Sequence, residues 1–337
     1  MSQSPKHILV TGGAGYIGSI LVPKLLELGH RVRVFDAFCF GEEGLSSVRE
    51  SPRLELVRGD VRDPAAVESA LRGVDHVIHL AAIANDPCSE LDPELTRAVN
   101  GEAAERLMRF AKAAGVRRFL YASSASVYGI KDTEDVTEDL PLEPITVYAE
   151  TKVQGERVLA SLVDDEFVGV AVRAATVCGY SPRLRLDLTI NILTHAALTK
   201  REILVFGGNQ MRPNVHVQDL AGFYIGLLDQ PAEKVRGRAF NVVQSNASVM
   251  GLAELVQREL LPRVGEIPIR VVPSGDLRSY HLSGERARRE LGYVAEISLG
   301  QAVRELAGAI SDGRVPDASS PVYRNVEHMK ANPTVWR

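Results

Sequence analysis

The chain has 337 residues, 45% hydrophobic and 24% charged, with a formal net charge of −4, a balance that suits one large or two modest soluble globular domains. It has no run of Lys and Arg to grip nucleic acid or an anionic membrane, and no stretch of 18 apolar residues that would span a bilayer. Cys39, Cys88 and Cys178 lie far apart without C-x-x-C spacing, and no export leader stands at the N-terminus, so we expect free thiols, no bound metal and a cytoplasmic location.

In chain order, the first apolar run, His7 to Val10, breaks into Thr11-Gly12-Gly13-Ala14-Gly15-Tyr16-Ile17-Gly18 and then into helical spacing over 15–28. Gly12, Gly15 and Gly18 form G-x-x-G-x-x-G, one residue wider at the first gap than the dinucleotide fingerprint. Glycines here permit a tight turn and close approach of backbone to a pyrophosphate, whose charge meets a helix N-terminus. A second strand, 31–35, ends at Asp36, 24 residues after Gly12. There a carboxylate can accept both ribose hydroxyls of an adenosine, and no arginine follows closely to welcome a 2′-phosphate, so NAD(H) is favoured over NADP(H).

Further strands are predicted at 54–57, 75–79, 117–122 and 168–172, with helices at 64–72, 100–114 and 148–163. Strands alternating with helices imply an α/β fold: a doubly wound, Rossmann-type parallel sheet with helices on both faces. From about residue 176 the rhythm changes. An Arg/Pro-bearing loop at 179–186 leads to a helix at 187–199, a strand at 203–206, a helix at 217–228, a strand at 239–243, and helices at 248–260, 284–291 and 299–311. We read residues 1–175, with 210–245 returning to them, as the dinucleotide domain. Residues 176–315 read as a smaller α/β substrate-binding cap, and 316–337 as a tail.

Two features carry chemistry. Tyr148 and Lys152 stand at i and i+4 of one predicted helix, placing a phenol and an ammonium one turn apart. A phenol is a poor base at neutral pH, but a fixed positive charge beside it favours its anion, which can then take a proton from an alcohol. The strand at 117–122 runs into Ser123-Ser124-Ala125-Ser126, setting hydroxyls at the carboxyl end of a central strand, where Ser124 can bond both the phenol and a substrate hydroxyl. Taken singly, the pair could be a solvated helix face and the serines a turn.

Together these residues resemble the extended short-chain dehydrogenase/reductase family, in its NAD-dependent nucleotide-sugar epimerase/dehydratase branch. The resemblance runs from Thr11 to about Tyr293 and includes Gly59-Asp60-Val61, His79-Leu80-Ala81-Ala82, Asn100 and the stretch from Arg212 to Asp219. It implies that Gly12, Gly15, Tyr16, Ile17 and Gly18 cradle NAD, that Asp60 and Val61 border the adenine, and that Leu80, Ala81 and Ala82 line the pyrophosphate and nicotinamide ribose. Asn100 would help hold the central helix and belong to the cofactor-binding set. Tyr148 would be the base, Ser124 its partner, and Lys152 a further ligand of the nicotinamide ribose.

On the substrate side, Arg212 matches an arginine that the family uses on the nucleotide diphosphate. Arg183, Arg185, Arg278 and Asn191 are further candidates for that group. Asn85, Ser126 and Thr176 fall beside the expected sugar, Asn85 and Thr176 in segments (83–88 and 173–177) unlike those of the UDP-galactose 4-epimerase. His79 and His216 read as packing residues, His195 as structural or facing the rim of the cleft, and Cys88 as an inert thiol.

In the sugar dehydratases and decarboxylases of this branch, an acidic residue or pair follows the serine or threonine matched by Ser124, and GDP-sugar 3,5-epimerases place a cysteine at the position of Ser126. Here those positions are Ala125 and Ser126, which favours epimerisation at one carbon of a nucleotide-diphosphate sugar through a transient ketone. A nucleotide-keto-sugar reductase, a dehydratase and a non-catalytic NAD-binding relative are the alternatives. The resemblance also implies a homodimer paired through helices 100–114 and 148–163.

Overall fold

The structure, a computed structural model, describes residues 4–131, 133, 135–275, 279 and 281–336. β1 (His7–Thr11), β2 (Arg31–Asp36), β3 (Leu54–Arg58), β4 (His76–His79), β5 (Arg118–Ser124) and β6 (Val168–Ala174) pair in parallel. Between them run α1 (Gly18–Glu27), α2 (Pro64–Leu71), α3 (Asp86–Leu91), α4 (Pro93–Thr96), α5 (Ala104–Ala113) and α6 (Val147–Leu162). Next come β7 (Thr176–Cys178), α7 (Thr189–Thr199), β8 (Ile203–Phe206), β9 (Met211–His216), α8 (Val217–Leu227) and β10 (Arg238–Val242). β11 (Ser245–Ser248) and β12 (Ile269–Val272) complete the described strands.

β10 joins the large sheet beside β6, giving seven parallel strands in the order β10-β6-β5-β4-β1-β2-β3. This is the doubly wound sheet that the alternation predicts. Helices on both faces bury whole strands rather than alternate residues, and β4 is buried at all four positions. Alternation instead divides the core: Ile8 and Val10 of β1 join the cluster on one face, while Leu9 joins Phe35, Val77 and Phe119 on the other. Strand order reverses between β1 and β4, which opens a crevice beyond their carboxyl ends.

β7, β9 and β11 form a separate three-stranded sheet, and β8 pairs with β12. A third apolar cluster, with Ile190, Leu193, Val205, Val256 and Val303, binds these pieces to α7 and to the helices Val249–Val264 and Leu299–Ser311.

Several elements differ from the sequence reading, which places no strand at β7, β9, β11 or β12. α1 starts at Gly18 rather than near residue 15, because the amide of Gly15 closes a turn onto the Gly12 carbonyl, 3.1 Å away. The helix predicted from residue 100 begins earlier, as a π-helical stretch at Arg97–Ala103. Residues 321–336, read as part of a tail, form a 3-10 turn and the helices Asn325–Ala331 and Pro333–Trp336. Met329, Val326 and Trp336 are held there by an apolar cluster with Ile83, Cys88 and Leu95. Among the described residues, no helix is long and apolar enough to cross a membrane.

Candidate active site

The glycine turn sits at the mouth of the crevice. Gly12 has φ +70°, and a Cβ there would stand 2.6 Å from the Ala81 amide nitrogen, so the loops after β1 and β4 meet only because this position has no side chain. A Cβ on Gly15 would meet only the Gly12 carbonyl oxygen, at 3.1 Å, which leaves open space in front of the turn. α1 has no side-chain cap and no acidic residue in its first turn; the Ser19 and Ile20 amides bond the carbonyls of Gly15 and Ile17, which leaves the amides just before them to meet an anion. Gly12, Gly15, Tyr16, Ile17, Gly18, Asp36, Asp60, Val61, Leu80, Ala81 and Ala82 all line one cleft.

Asp36 closes β2 with its carboxylate fixed by two backbone donors, Ala14 N–H at 2.9 Å and Phe38 N–H at 2.7 Å. Burial raises its pKa against the opposing pull of those bonds and of Arg183 and Arg58. The carboxylate thus joins the glycine turn to the loop after β2 and keeps lone pairs for a ribose. No arginine follows Asp36 closely in sequence, yet the fold brings two near it. Arg58 is tethered to the Ala37 carbonyl and Glu42, and Arg183 to Asn325 and the face of Phe40.

Asp36→Ala should weaken NAD binding by about 10–100-fold, the range set by losing charged hydrogen bonds, and relax the preference against NADP. Asp36→Asn, which keeps acceptors for the two amides, should lose less. Titration of both nucleotides reads the result, and an unchanged preference in the alanine variant would show that another residue reads the ribose.

At the neighbouring wall, Arg62 grips Asp60 from side chain and backbone. Burial pushes the Asp60 carboxyl up, but these bonds outweigh it and hold the pKa low. Asn100 does not line the cleft. Its amide is closed onto the Ile83 backbone in both directions, at 2.8 and 2.9 Å, which corrects its expected contact with the cofactor to one of positioning the loop after β4.

The candidate proton-transfer residues are carried by α6 and by the carboxyl end of β5. Thr146 caps α6 by accepting from Ala149 N–H, which sets Tyr148 in the first turn and Lys152 one turn later. Lys152 is 3% exposed. Its Nζ donates to the Ala122 carbonyl at 2.7 Å and stands 5.5 Å from the Tyr148 ring centroid. Burial holds its pKa down at about 8, against an opposing pull from Glu156, so it carries its charge at neutral pH. Ser124 Oγ accepts from Ser126 N–H at 3.2 Å and Ser126 Oγ–H at 3.0 Å. Both contacts use its lone pairs and leave its proton to donate.

Beneath this group lies a network that sequence reading missed. Arg173 forks onto Glu156, with Nη2 2.6 Å from Oε2 and Nε 3.0 Å from Oε1, and Ser123 donates to the same carboxylate. Arg173 also donates to Tyr128 Oη, which in turn donates to Asn241. The only signal was Glu156 itself, one turn beyond Lys152 on the same helix.

The substrate candidates are less uniform. Arg185 lines the cleft and is forked onto Asp187. Arg212 and Thr176 stand on β9 and β7. Asn85, at φ +80°, caps α3 by accepting from Cys88 N–H, and its amide points to Asp187 at 3.5 Å. Asn191 corrects the sequence reading: it is fully buried, and its amide serves Gly179, Arg185 and Tyr16 Oη, shaping the loop after β7 instead of facing a ligand. Arg278 lies outside the described residues.

The histidines pack as expected. His79 contacts Thr11 Oγ1 at 2.6 Å, with its pKa pushed down to about 3 by burial and then by Lys152. His216 caps α8 and faces Glu305, and His195 is buried on α7. Burial pushes the Cys88 thiol up to about 11, which keeps it inert. Among the described residues, no group of three His, Cys, Asp or Glu could hold a metal ion.

A glycine turn before an uncapped helix, an acid at the end of β2, and a Tyr/Lys/Ser group at the end of β5 define a dinucleotide-dependent enzyme acting on an alcohol or ketone. Residues 8–242 match the NAD dependent epimerase/dehydratase family, and the chain belongs to it. It is accordingly an enzyme, with NAD as cofactor. The UDP-glucose 4-epimerase of Mycolicibacterium smegmatis is 32% identical over 316 residues, covering 88% of this chain and 95% of that one. A dTDP-glucose 4,6-dehydratase of Streptomyces griseus is 30% identical over 310 residues, covering 87% and 90%. The crystal structure of UDP-glucuronic acid 4-epimerase from Bacillus cereus, in complex with UDP-glucuronic acid and NAD, has a TM-score of 0.80 at 25% identity, with 91% and 99% of the two chains covered.

Proposed function

We propose that the chain is an NAD-dependent epimerase of a nucleoside-diphosphate sugar, inverting one carbon through a transient keto-sugar. NAD, when bound, supplies a hydride acceptor that later returns what it took. Tyr148, its anion favoured by the Lys152 ammonium, removes the proton from the sugar hydroxyl being oxidised and gives it back after inversion. Ser124 donates to the oxygen as charge builds there, and the Ser126 contacts keep its hydroxyl aimed. The ketone must turn within the cleft to present its second face.

The observation that carries this reading lies in the two residues after Ser124. Elimination of water needs an acid or base at the neighbouring carbon, whereas Ala125 is an apolar side chain 2% exposed and Ser126 is bonded to Ser124. Relatives named as UDP-glucose 4-epimerases support the same choice. UDP- and dTDP-linked sugars recur in the names of relatives, which supports a nucleoside diphosphate as the handle, with Arg185 and Arg212 as its ligands and Asn85, Ser126 and Thr176 nearer the sugar.

The same reading makes the chain a homodimer, paired through α5 and α6, and a cytoplasmic protein. Three free thiols support a reducing compartment.

The test is a panel of UDP-, GDP-, CDP- and dTDP-sugars incubated with enzyme in deuterated water and followed by NMR. Inversion at one carbon without deuterium uptake is the expected result. Loss of water, or incorporation of deuterium at a carbon, would overturn the proposal.

A further inference from the structure

The described structure extends well past residue 242, where the family match ends, and residues 325–336 fold back onto the dinucleotide cleft. Asn325, Val335 and Trp336 line it together with Asp36 and Asp60. We propose that this segment completes the adenosine half of the NAD site as a strap, so that the cofactor enters and leaves only when the strap lifts. The proposal rests on the NAD reading above.

The strap is fastened on both flanks of the cleft. On the adenosine side, His328 Nε2 lies 2.8 Å from the Cys39 carbonyl oxygen, and the Phe40 ring is flanked by His328 and Trp336 at centroid distances of 4.8 and 5.2 Å. The Trp336 carbonyl accepts from Arg62, the residue that also grips Asp60. On the cap side, Asn325 N–H donates to Asp187 at 3.1 Å and Asn325 Oδ1 accepts from Arg183 Nη2 at 2.7 Å.

Two donors in this wall lack an acceptor among the described residues. Arg183 is 6% exposed, and its Nε is buried without a partner; the indole Nε1 of Trp336 is likewise buried and unpaired. A buried donor left unsatisfied is costly, and both residues face the cleft. Burial also pulls the Arg183 pKa down, with a second arginine, Arg185, adding to the fall, the mark of a cation short of compensating charge. A dinucleotide brings both an anionic diphosphate and ribose oxygens.

The experiment measures NAD exchange on the full chain and its variants, loading each with etheno-NAD and chasing with excess NAD while fluorescence is followed. Trp336→Ala and His328→Ala should release the probe at least tenfold faster and also bind it faster, since a gate slows both directions. Limited trypsin digestion gives a second readout independent of the variants: saturating NAD should slow cleavage after Lys330 at least tenfold in the unaltered chain. If both variants exchange NAD at the unaltered rate, or NAD leaves cleavage unchanged, the strap is refuted while the cofactor reading stands. An unaltered chain that binds no NAD overturns both.

Discussion

Tyr148→Phe should lower kcat by about 10²–10⁴-fold, the range supplied by a positioned acid–base group, while NAD stays bound. The substitution removes one oxygen from a half-buried ring and leaves the Lys152 ammonium bonded to the Ala122 carbonyl, so the cofactor wall keeps its shape. Bound NAD per chain, read by absorbance after gel filtration, should match that of the unaltered enzyme. Activity within tenfold of the unaltered level would remove Tyr148 as the base.

The same site fixes the direction of the pH response. Lys152 has a pKa of about 8: below it the ammonium is present and favours the phenolate, and above it the charge is lost. The kcat profile of the unaltered enzyme should therefore fall as pH rises through about 8.

Glu156→Ala should cost about 3–5 kcal/mol of stability, the penalty for leaving one member of a buried ion pair alone. Both side chains are under 10% exposed, Arg173 at 7% and Glu156 at 9%, so water cannot replace the lost carboxylate. Burial alone would pull the Arg173 pKa down, and the bonds and charge of Glu156 more than reverse that. In the variant the guanidinium keeps its bonds to Tyr128 and the Glu138 carbonyl.

Replacing both partners, as Glu156→Leu with Arg173→Met, should recover most of the loss, because an apolar pair of similar volume leaves no buried charge. Denaturant unfolding of the four proteins in the cycle measures the coupling, and additive effects would show that the two side chains do not act as a pair. Glu156 also raises the Lys152 pKa, so the alkaline fall in kcat should move to lower pH in Glu156→Ala.

The parts of the site that were legible in the sequence are those whose geometry is local. The turn from Thr11 to Gly18 announces itself because only glycine tolerates the φ of residue 12 and the contact with Ala81, and Tyr148 with Lys152 because one helical turn brings them together. Asp36 is visible as the acid that ends β2. Asn100 and Asn191 were misread for the opposite reason. An amide can satisfy a ligand or a backbone, and the choice depends on chain that arrives from elsewhere: Asn191 reaches Tyr16 Oη across 175 residues of sequence. Arg183 looked like one of several loop arginines, and burial beside Phe40 and Asn325 singles it out.

Sequence by itself determined the parallel sheet, the glycine turn, the acid that ends β2, the phenol–ammonium pair and the lack of an acid after Ser124, since periodicity, spacing and side-chain chemistry are properties of neighbouring residues. Tertiary structure alone decided which polar groups face the cleft and which are consumed in holding it. It buried Arg173 against Glu156 of the helix that carries Tyr148 and Lys152 and folded residues 325–336 onto the glycine-turn cleft. Those outcomes depend on packing and on desolvation, which are set by the whole surroundings of an atom and cannot be read from the residues on either side of it.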